Sequence, residues 1–334
     1  MKDAINILLV SNHRYFPGLV TTMASMLLSA SYPERLQFYV YHDDLSRDDK
    51  MTLDALMCKF GGLLPIVYRR PNIEEIKSLG REWNGSYLPW VRLFVCHELP
   101  VDWIVYADVD TLWFKDVCKL WEERDEKIPV FACADMEYVQ KDTFRYQSKW
   151  NPHFQQKKYF CSGMMLMNVA AMRRFDLPRQ VVSFVREYGC PYYPDQDILN
   201  YFYNEQCVVL DQTWNCMRPT RDALNGVVLH CLGIGRMFGD LAMTGWSPLS
   251  AIWFKFYNSI ILGKSERSCC RWYKRIWFSI YGLMYPMRAL YRMLTLPCLP
   301  HRAEQLCMLQ FGAWLYKRLK MPSSKMRLNS EKHD

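Results

Sequence analysis

Trp103-Ile104-Val105-Tyr106-Ala107-Asp108-Val109-Asp110-Thr111-Leu112-Trp113-Phe114 is an apolar run broken by two carboxylates. Its first four residues read as a buried strand, and apolar sequence resumes at Leu112. Two acids therefore sit at a strand end, inside a pattern that otherwise belongs to a core. In extended chain, positions i and i+2 project to the same side, so both carboxylates can reach one hard divalent cation. Mn²⁺ or Mg²⁺ suits such oxygen donors. A polar loop would carry the same spacing, and Asp195 and Asp197 repeat it. The apolar context, more than the spacing, points to a metal.

Working back toward the N-terminus, Ile5 to Val10 is a compact apolar run followed by Ser11-Asn12-His13, and Pro17 to Ala30 reads as a helix. Gln37 to Tyr41 repeats the strand signal before polar His42-Asp43-Asp44. Asp48 to Lys59 is again helical, ending at Gly61-Gly62, and Leu63 to Tyr68 is a third strand candidate. This alternation predicts parallel strands joined by crossover helices, an α/β fold that binds ligands off the carboxyl ends of its strands. There are no internal repeats and no low-complexity tract; Glu122 to Lys127 reads as charged surface.

Working forward, Tyr159-Phe160-Cys161-Ser162-Gly163 precedes apolar Met164-Met165-Leu166-Met167-Asn168. A glycine with small neighbours ahead of a strand permits close approach of a ligand to backbone, and an ordinary turn would look the same. Tyr193-Pro194-Asp195-Gln196-Asp197-Ile198-Leu199-Asn200 is a helix start with acids in its first turn, as capping alone would also require. Gly226-Val227-Val228-Leu229 leads into His230-Cys231-Leu232-Gly233-Ile234-Gly235-Arg236. A neutral imidazole at a strand end can complete a metal site, and the glycines can wrap a phosphate with Arg236 as counter-charge. A structural histidine is the competing reading.

The chain has 334 residues, half of them apolar and 15 % aromatic, which excludes disorder throughout and suits one large α/β domain with an appendage. Its thirteen cysteines form no C-x-x-C pair and no zinc spacing, and are expected to be reduced and mostly buried. From Ile252 onward there are 15 Lys/Arg against 4 Asp/Glu, a net charge of +11, so the first 251 residues carry −3. Arg271-Trp272-Tyr273-Lys274-Arg275-Ile276-Trp277-Phe278 mixes cations with aromatics, and Arg288 and Arg292 lie one helical turn apart. Such a segment can lie in an anionic membrane interface. A subdomain with solvated basic faces is the alternative; nucleic acid is not expected, because no binding module is recognisable. Pro286 should split any helix there into two pieces. The longest charge-free stretches near the C-terminus, Leu241 to Phe254 and Ile276 to Met287, hold 14 and 12 residues. Both fall short of the roughly 20 that a bilayer crossing needs. Met1-Lys2-Asp3 runs directly into a strand without a secretion-signal pattern, so a cytoplasmic protein, peripheral on the inner face of the cytoplasmic membrane, is expected.

The succession Ile5 to Ser29, Arg92-Leu93-Phe94, Tyr106 to Asp110, Tyr159 to Asn168, Asp195 to Asn200 and His230-x-x-Gly233 resembles glycosyltransferase family 8 over about residues 5 to 240. The resemblance implies a GT-A (Rossmann-like) fold, placed over residues 1–250, while charge and aromatic content mark 251–334 as a basic, membrane-associating region. It implies a UDP-hexose donor of glucose or galactose, a Mn²⁺ cofactor, retention at the anomeric carbon and a glycan or glycolipid acceptor. Residue by residue, Asp108, Asp110 and His230 match the metal ligands, while Asp195 and Gln196 match the pair beside the transferred sugar. Arg92 matches the arginine that contacts the donor, and Asp108 shares in donor binding as well. Gly233 and Arg236 match the positions around the diphosphate; Asn12 and Tyr15 match the nucleotide end; Asp135 resembles an acceptor-side acid, with a surface turn as the alternative. Cys161 stands where the family usually has asparagine, Arg236 where it has lysine, and Asn12-His13-Arg14 where an acidic pair and asparagine are common. A lipopolysaccharide or lipooligosaccharide core acceptor is expected from the tail, and a glycogenin-like self-glucosylating enzyme or a noncatalytic sugar-nucleotide scaffold are the alternatives.

Overall fold

The computed structural model describes residues 3–83, 85–217, 226–232, 253 and 256–261. The chain divides into two compact units, Met1–Met217 with Asn225–Ala242, and Arg218–Leu224 with Met243–Asp334. Within the second, the described residues form a π-helical turn, Tyr257–Ile261, whose Tyr257 ring stacks on Trp253 with centroids 5.2 Å apart. The basic aromatic segment Arg271 to Phe278, with Pro286, Arg288 and Arg292, lies outside the described residues, as do Gly233 and Arg236.

Among the described residues the first unit has nine strands: β1 (Ile5–Ser11), β2 (Leu36–His42), β3 (Val67–Arg69), β4 (Trp103–Ala107), β5 (Thr111–Trp113), β6 (Val130–Ala134), β7 (Phe160–Asn168), β8 (Val208–Leu210) and β9 (Val228–His230). Seven form one sheet in the order β3-β2-β1-β4-β7-β6-β8, and β5 pairs with β9 in a second. The strands β3, β2, β1 and β4 are mutually parallel, as the alternation of strand and helix signals predicts. The other half departs from that prediction. β7 runs antiparallel to both β4 and β6, so the sheet is mixed. Its nine residues are all buried, which hides a strand's direction: an interior strand reads as one apolar run whichever way it points.

Helices α1 (Phe16–Ser29), α2 (Arg47–Lys59), α3 (Ile73–Leu79), α4 (Val95–Glu98), α5 (Val117–Glu122), α6 (Glu137–Trp150), α7 (Val169–Arg174), α8 (Leu177–Tyr188) and α9 (Pro194–Tyr203) complete the unit. α1 is buried from Gly18 to Leu27, as its nearly uncharged sequence requires. α2 begins with a reciprocal capping box in which Ser46 and Asp49 each accept from the other's backbone N–H. The predicted strand at Leu63 to Tyr68 shrinks to Val67–Arg69, because Leu63 is 76 % exposed and Pro65 has no N–H to give a ladder. The nine described cysteines are all free, and six are buried.

The principal core packs Leu8, Trp90, Ile104, Tyr106, Phe160 and Phe184 with their neighbours between sheet and helices. No described helix is long and apolar enough to cross a membrane.

Candidate active site

The carboxyl ends of β1, β4 and β6 lie along one edge of the sheet, and a cleft of about 340 Å³ opens there. Every described residue singled out for the site lines it: Asn12, Tyr15, Arg92, Asp108, Asp110, Asp135, Asp195, Gln196 and His230. Asn12 follows β1 and Asp135 follows β6. Because β4 lies between those strands in the sheet, Asp108 at its end occupies the middle of the cleft.

The acid pair does not stand on extended chain, contrary to expectation. After Ala107 the backbone turns, with Thr111 N–H donating to Asp108 O at 3.2 Å, and Val109 and Asp110 lie in that turn. The turn brings Asp110 against His230 instead of setting the two acids side by side on one strand face. His230 is delivered by β9, whose antiparallel register places it opposite Thr111. Its Nε2 lies 3.2 Å from Asp110 Oδ1 and 3.9 Å from Asp108 Oδ2. One donor atom from each of the three lies within 4.8 Å of the others. Ligands in adjacent positions of an octahedron at about 2.1 Å from the ion stand roughly 3 Å apart, so the trio has the dimensions of a cation site.

Three further observations fit a cation there. Asp110 Oδ1 is buried, yet no hydrogen bond of proper geometry reaches it. Gly163, which lies inside β7 and not ahead of it as predicted, leaves the space: a Cβ on it would come 2.3 Å from His230 Cε1 and 2.9 Å from Asp108 Oδ2. His230 Nδ1 is 2.9 Å from Asn215 Oδ1, a contact that turns Nε2 toward the carboxylates in the manner of a metal-ligating imidazole. Burial opposes a charge on this ring, but the adjacent Asp110 outweighs it and raises the His230 pKa well above its usual value. Burial likewise raises the Asp108 pKa; Arg92 opposes that shift and Asp110 adds to it.

Arg92 is buried and central. Its guanidinium pairs with Asp108 at 2.9 Å and Asp195 at 3.1 Å, donates to Ser162 O at 2.7 Å and Pro89 O at 3.0 Å, and covers the Tyr106 ring at 3.9 Å. Burial lowers its pKa and the surrounding acids raise it further, so the cation persists. Most of its five N–H groups are engaged within the protein, and through them Arg92 orients two carboxylates. On α9 the i and i+2 acids diverge. Asp195 faces the cleft and accepts from Ser162 Oγ at 2.8 Å. Asp197 is fully buried behind it, accepting from Tyr159, Tyr146 and Gln147 and from the Tyr193 backbone. Gln196 accepts from Ser162 N–H at 2.9 Å and donates to Asp135 Oδ2 at 2.7 Å and to Tyr159 OH at 3.0 Å.

Sequence reasoning did not assign roles to Tyr106, Tyr159, Ser162 and Asn215. Tyr159 and Ser162 precede the glycine of a quoted motif, and their position was the available signal. Asn215 carries none: it reaches His230 only because Cys216 hydrogen-bonds with the backbone of Val228 and His230.

Residues 6–231 match the family model described as Glycosyl transferase family 8. The chain is 23 % identical to General stress protein A of Bacillus subtilis over 222 residues, covering 64 % of this chain and 74 % of the relative. It is 24 % identical to Glycosyltransferase GlyF of Streptococcus pneumoniae over 214 residues, 64 % of this chain and about half (49 %) of that protein's length. Among solved structures, the galactosyltransferase LgtC in complex with donor and acceptor sugar analogs superposes with a TM-score of 0.60 at 19 % identity, covering 76 % of this chain and 96 % of that one. The WbbM bifunctional glycosyltransferase gives 0.59 at 17 % identity, with 77 % of this chain and 52 % of that one covered. At these identities the structures establish a shared GT-A-type fold.

Proposed function

Because the chain belongs to glycosyltransferase family 8, we propose that it transfers a hexose, glucose or galactose, from a UDP-sugar to a glycan acceptor with retention at the anomeric carbon. The buried, hydrogen-bond-less Asp110 oxygen facing His230 at 3.2 Å carries this reading, since it leaves a cation-sized demand in the middle of a nucleotide-sugar cleft. Asp108, Asp110 and His230 would hold Mn²⁺, with Mg²⁺ as the substitute. The bound ion supplies positive charge that stabilises the departing diphosphate. Asn12 and Tyr15 mark the nucleotide end, and Gly233 and Arg236 are assigned to the diphosphate.

The chain's own residues favour attack from the face the diphosphate leaves. A covalent route needs a carboxylate free to approach the anomeric carbon from the opposite face. Asp195 is held by Arg92 and Ser162, and Gln196 is engaged through both ends of its amide. In the same-face route the bond to the diphosphate oxygen breaks as the acceptor oxygen bonds to carbon, and the acceptor's hydroxyl proton passes to the departing phosphate oxygen. Asp135, fixed by Gln196, would orient the acceptor hydroxyl. A glycosyl-enzyme trapped in Asp195→Asn would overturn this route.

The acceptor class proposed is a lipopolysaccharide or lipooligosaccharide core met on the inner face of the cytoplasmic membrane. The cations and aromatics of residues 271–278 support surface attachment there. Removing the chain from about residue 265 onward should release it from anionic vesicles while UDP-sugar binding persists; equal vesicle binding by both forms contradicts the membrane reading. The test of the whole proposal is a UDP-sugar panel with Mn²⁺, scored for slow donor hydrolysis without acceptor. Hydrolysis of one UDP-hexose, abolished by a chelator and by Asp110→Asn, is expected; no cleavage of any member refutes it.

A further inference from the structure

The cleft receives Asp108 with one of its two oxygens already taken, and Tyr106 is the residue that takes it. Tyr106 is fully buried in β4, paired with Leu8 of β1 on one side and Met165 of β7 on the other. The Arg92 guanidinium covers its ring at 3.9 Å. Held on three sides, the phenol has a fixed direction for its O–H. Asp108 follows two residues later and stays in the ladder through its N–H, which donates to Gly163 O at 2.8 Å, so both side chains leave the backbone on the same side. The Tyr106 hydroxyl donates to Asp108 Oδ1 at 2.5 Å, and Arg92 Nη2 donates to that same atom at 2.9 Å.

Lone-pair counting then separates the two oxygens. A carboxylate oxygen has two lone pairs, a guanidinium can only donate, and a phenol keeps its proton near neutral pH. Tyr106 and Arg92 together occupy both pairs of Oδ1, which leaves that atom nothing to give a metal ion. Oδ2 is the atom turned to the site: it lies 3.9 Å from His230 Nε2, and it is the Asp108 oxygen that a Cβ on Gly163 would approach. Asp110 carries no such tether, since its Oδ1 accepts no hydrogen bond.

The number of oxygens a carboxylate can offer sorts cations by size. Ca²⁺ gathers about 6–8 oxygens at roughly 2.3–2.6 Å and readily takes both oxygens of one carboxylate. The smaller octahedral ions hold about six donors in stricter geometry and are satisfied by one oxygen from each acid. Resting on the cation-dependent transferase reading above, we infer that Tyr106 is a positioning residue that confines Asp108 to a single metal-binding oxygen and so sets the site against Ca²⁺ in favour of a small octahedral cation. The hydroxyl carries this role and the ring does not. One atom can therefore be removed while the packing under Arg92 is kept.

Tyr106→Phe is that change, and it returns one lone pair to Oδ1. Mn²⁺ binding is followed on the full chain, without and with UDP, by the electron paramagnetic resonance of the free ion, and Ca²⁺ is then titrated in as competitor. The wild-type chain should keep its Mn²⁺ against about a tenfold excess of Ca²⁺. In Tyr106→Phe the ratio of the Ca²⁺ to the Mn²⁺ dissociation constant should fall about tenfold, the worth of one hydrogen bond to a charged group. Tyr203→Phe controls for the loss of any buried hydroxyl: Tyr203 is buried, lies outside the cleft lining and has no hydrogen-bond partner for its OH, so its variant should keep the wild-type ratio. An unchanged ratio in Tyr106→Phe, or an equal shift in Tyr203→Phe, overturns the positioning role. Should Tyr106→Phe fail to fold, the wild-type chain alone decides, because displacement of its Mn²⁺ by equimolar Ca²⁺ also overturns it. A wild-type chain that binds no Mn²⁺ with or without UDP sinks the cation site of the transferase reading, whereas Mn²⁺ binding with an unaltered ratio sinks only the role of Tyr106.

Discussion

Gly163→Ala places a single methyl group where the cation site can least accommodate it. The new carbon would lie 2.3 Å from His230 Cε1 and 2.9 Å from Asp108 Oδ2, whereas ordinary contact begins near 3.4 Å, so the imidazole must retreat by about 1.1 Å. Neither partner can move freely. Gly163 sits in a strand paired on both edges, with its carbonyl accepting from Asp108 N–H at 2.8 Å. His230 is held by the β5 register and by Asn215. Metal–ligand distances tolerate about 0.2 Å, so a retreat of that size removes His230 from the coordination sphere. Overpacking should cost about 1–3 kcal/mol, a fall in melting temperature of roughly 2–10 °C for a unit of this size. Cation affinity should drop at least tenfold, given that disturbing even the groups behind a ligand costs about 10–100-fold. Mn²⁺ titration followed by electron paramagnetic resonance, with donor hydrolysis alongside, measures both effects. An alanine variant that binds Mn²⁺ like the wild type, at an unchanged hydrolysis rate, refutes the assignment of His230 as a ligand.

Three other outcomes are expected. Tyr159→Phe removes a donor from buried Asp197 and an acceptor from Gln196, so stability should fall by about 1–3 kcal/mol and kcat by more than the donor KM changes, which chemical denaturation and steady-state kinetics would show. Arg92→Lys cannot serve Asp108, Asp195 and Ser162 from one fork; a loss of at least about 2 kcal/mol with near-complete loss of donor turnover is expected, and wild-type turnover would count against the orienting role. Burial holds the His42 pKa down to about 4 from an unperturbed 6.5, and its Nδ1 accepts from Leu45 N–H. The unfolded chain therefore binds the extra proton first, so stability falls as pH drops from 6.5 toward 4. His42→Gln should flatten melting temperature against pH across that window; an unaltered slope assigns the acid sensitivity elsewhere.

The parallel half of the sheet was legible because its strands and crossover helices announce themselves locally, through apolar runs, Pro17 at a helix start and the Gly61-Gly62 stop. What failed depended on partners distant in sequence. The direction of β7 is chosen by β4 and β6 on its flanks, and an all-buried strand carries no mark of it. The residue types at Asp108, Asp110 and His230 were readable as cation ligands, and these three lie together as expected. Their geometry was not readable, since a turn and a register 119 residues away set it. The partners of Arg92 were unreadable for a similar reason: Asp195 and Ser162 come from α9 and β7, which no local pattern connects to residue 92.

The pairing of β5 with β9 has a consequence for the order in which the molecule assembles. Closing a contact between Thr111 and His230 demands a long loop search, which proceeds more slowly than the neighbour-to-neighbour docking of β1, β2 and α1. The scaffold can therefore condense while the histidine is still absent, with Asp108 held by Arg92 and Tyr106 and Asp110 without its imidazole neighbour. A divalent ion present during refolding should act as a clasp on that last strand, accelerating the final step and leaving the earlier ones alone.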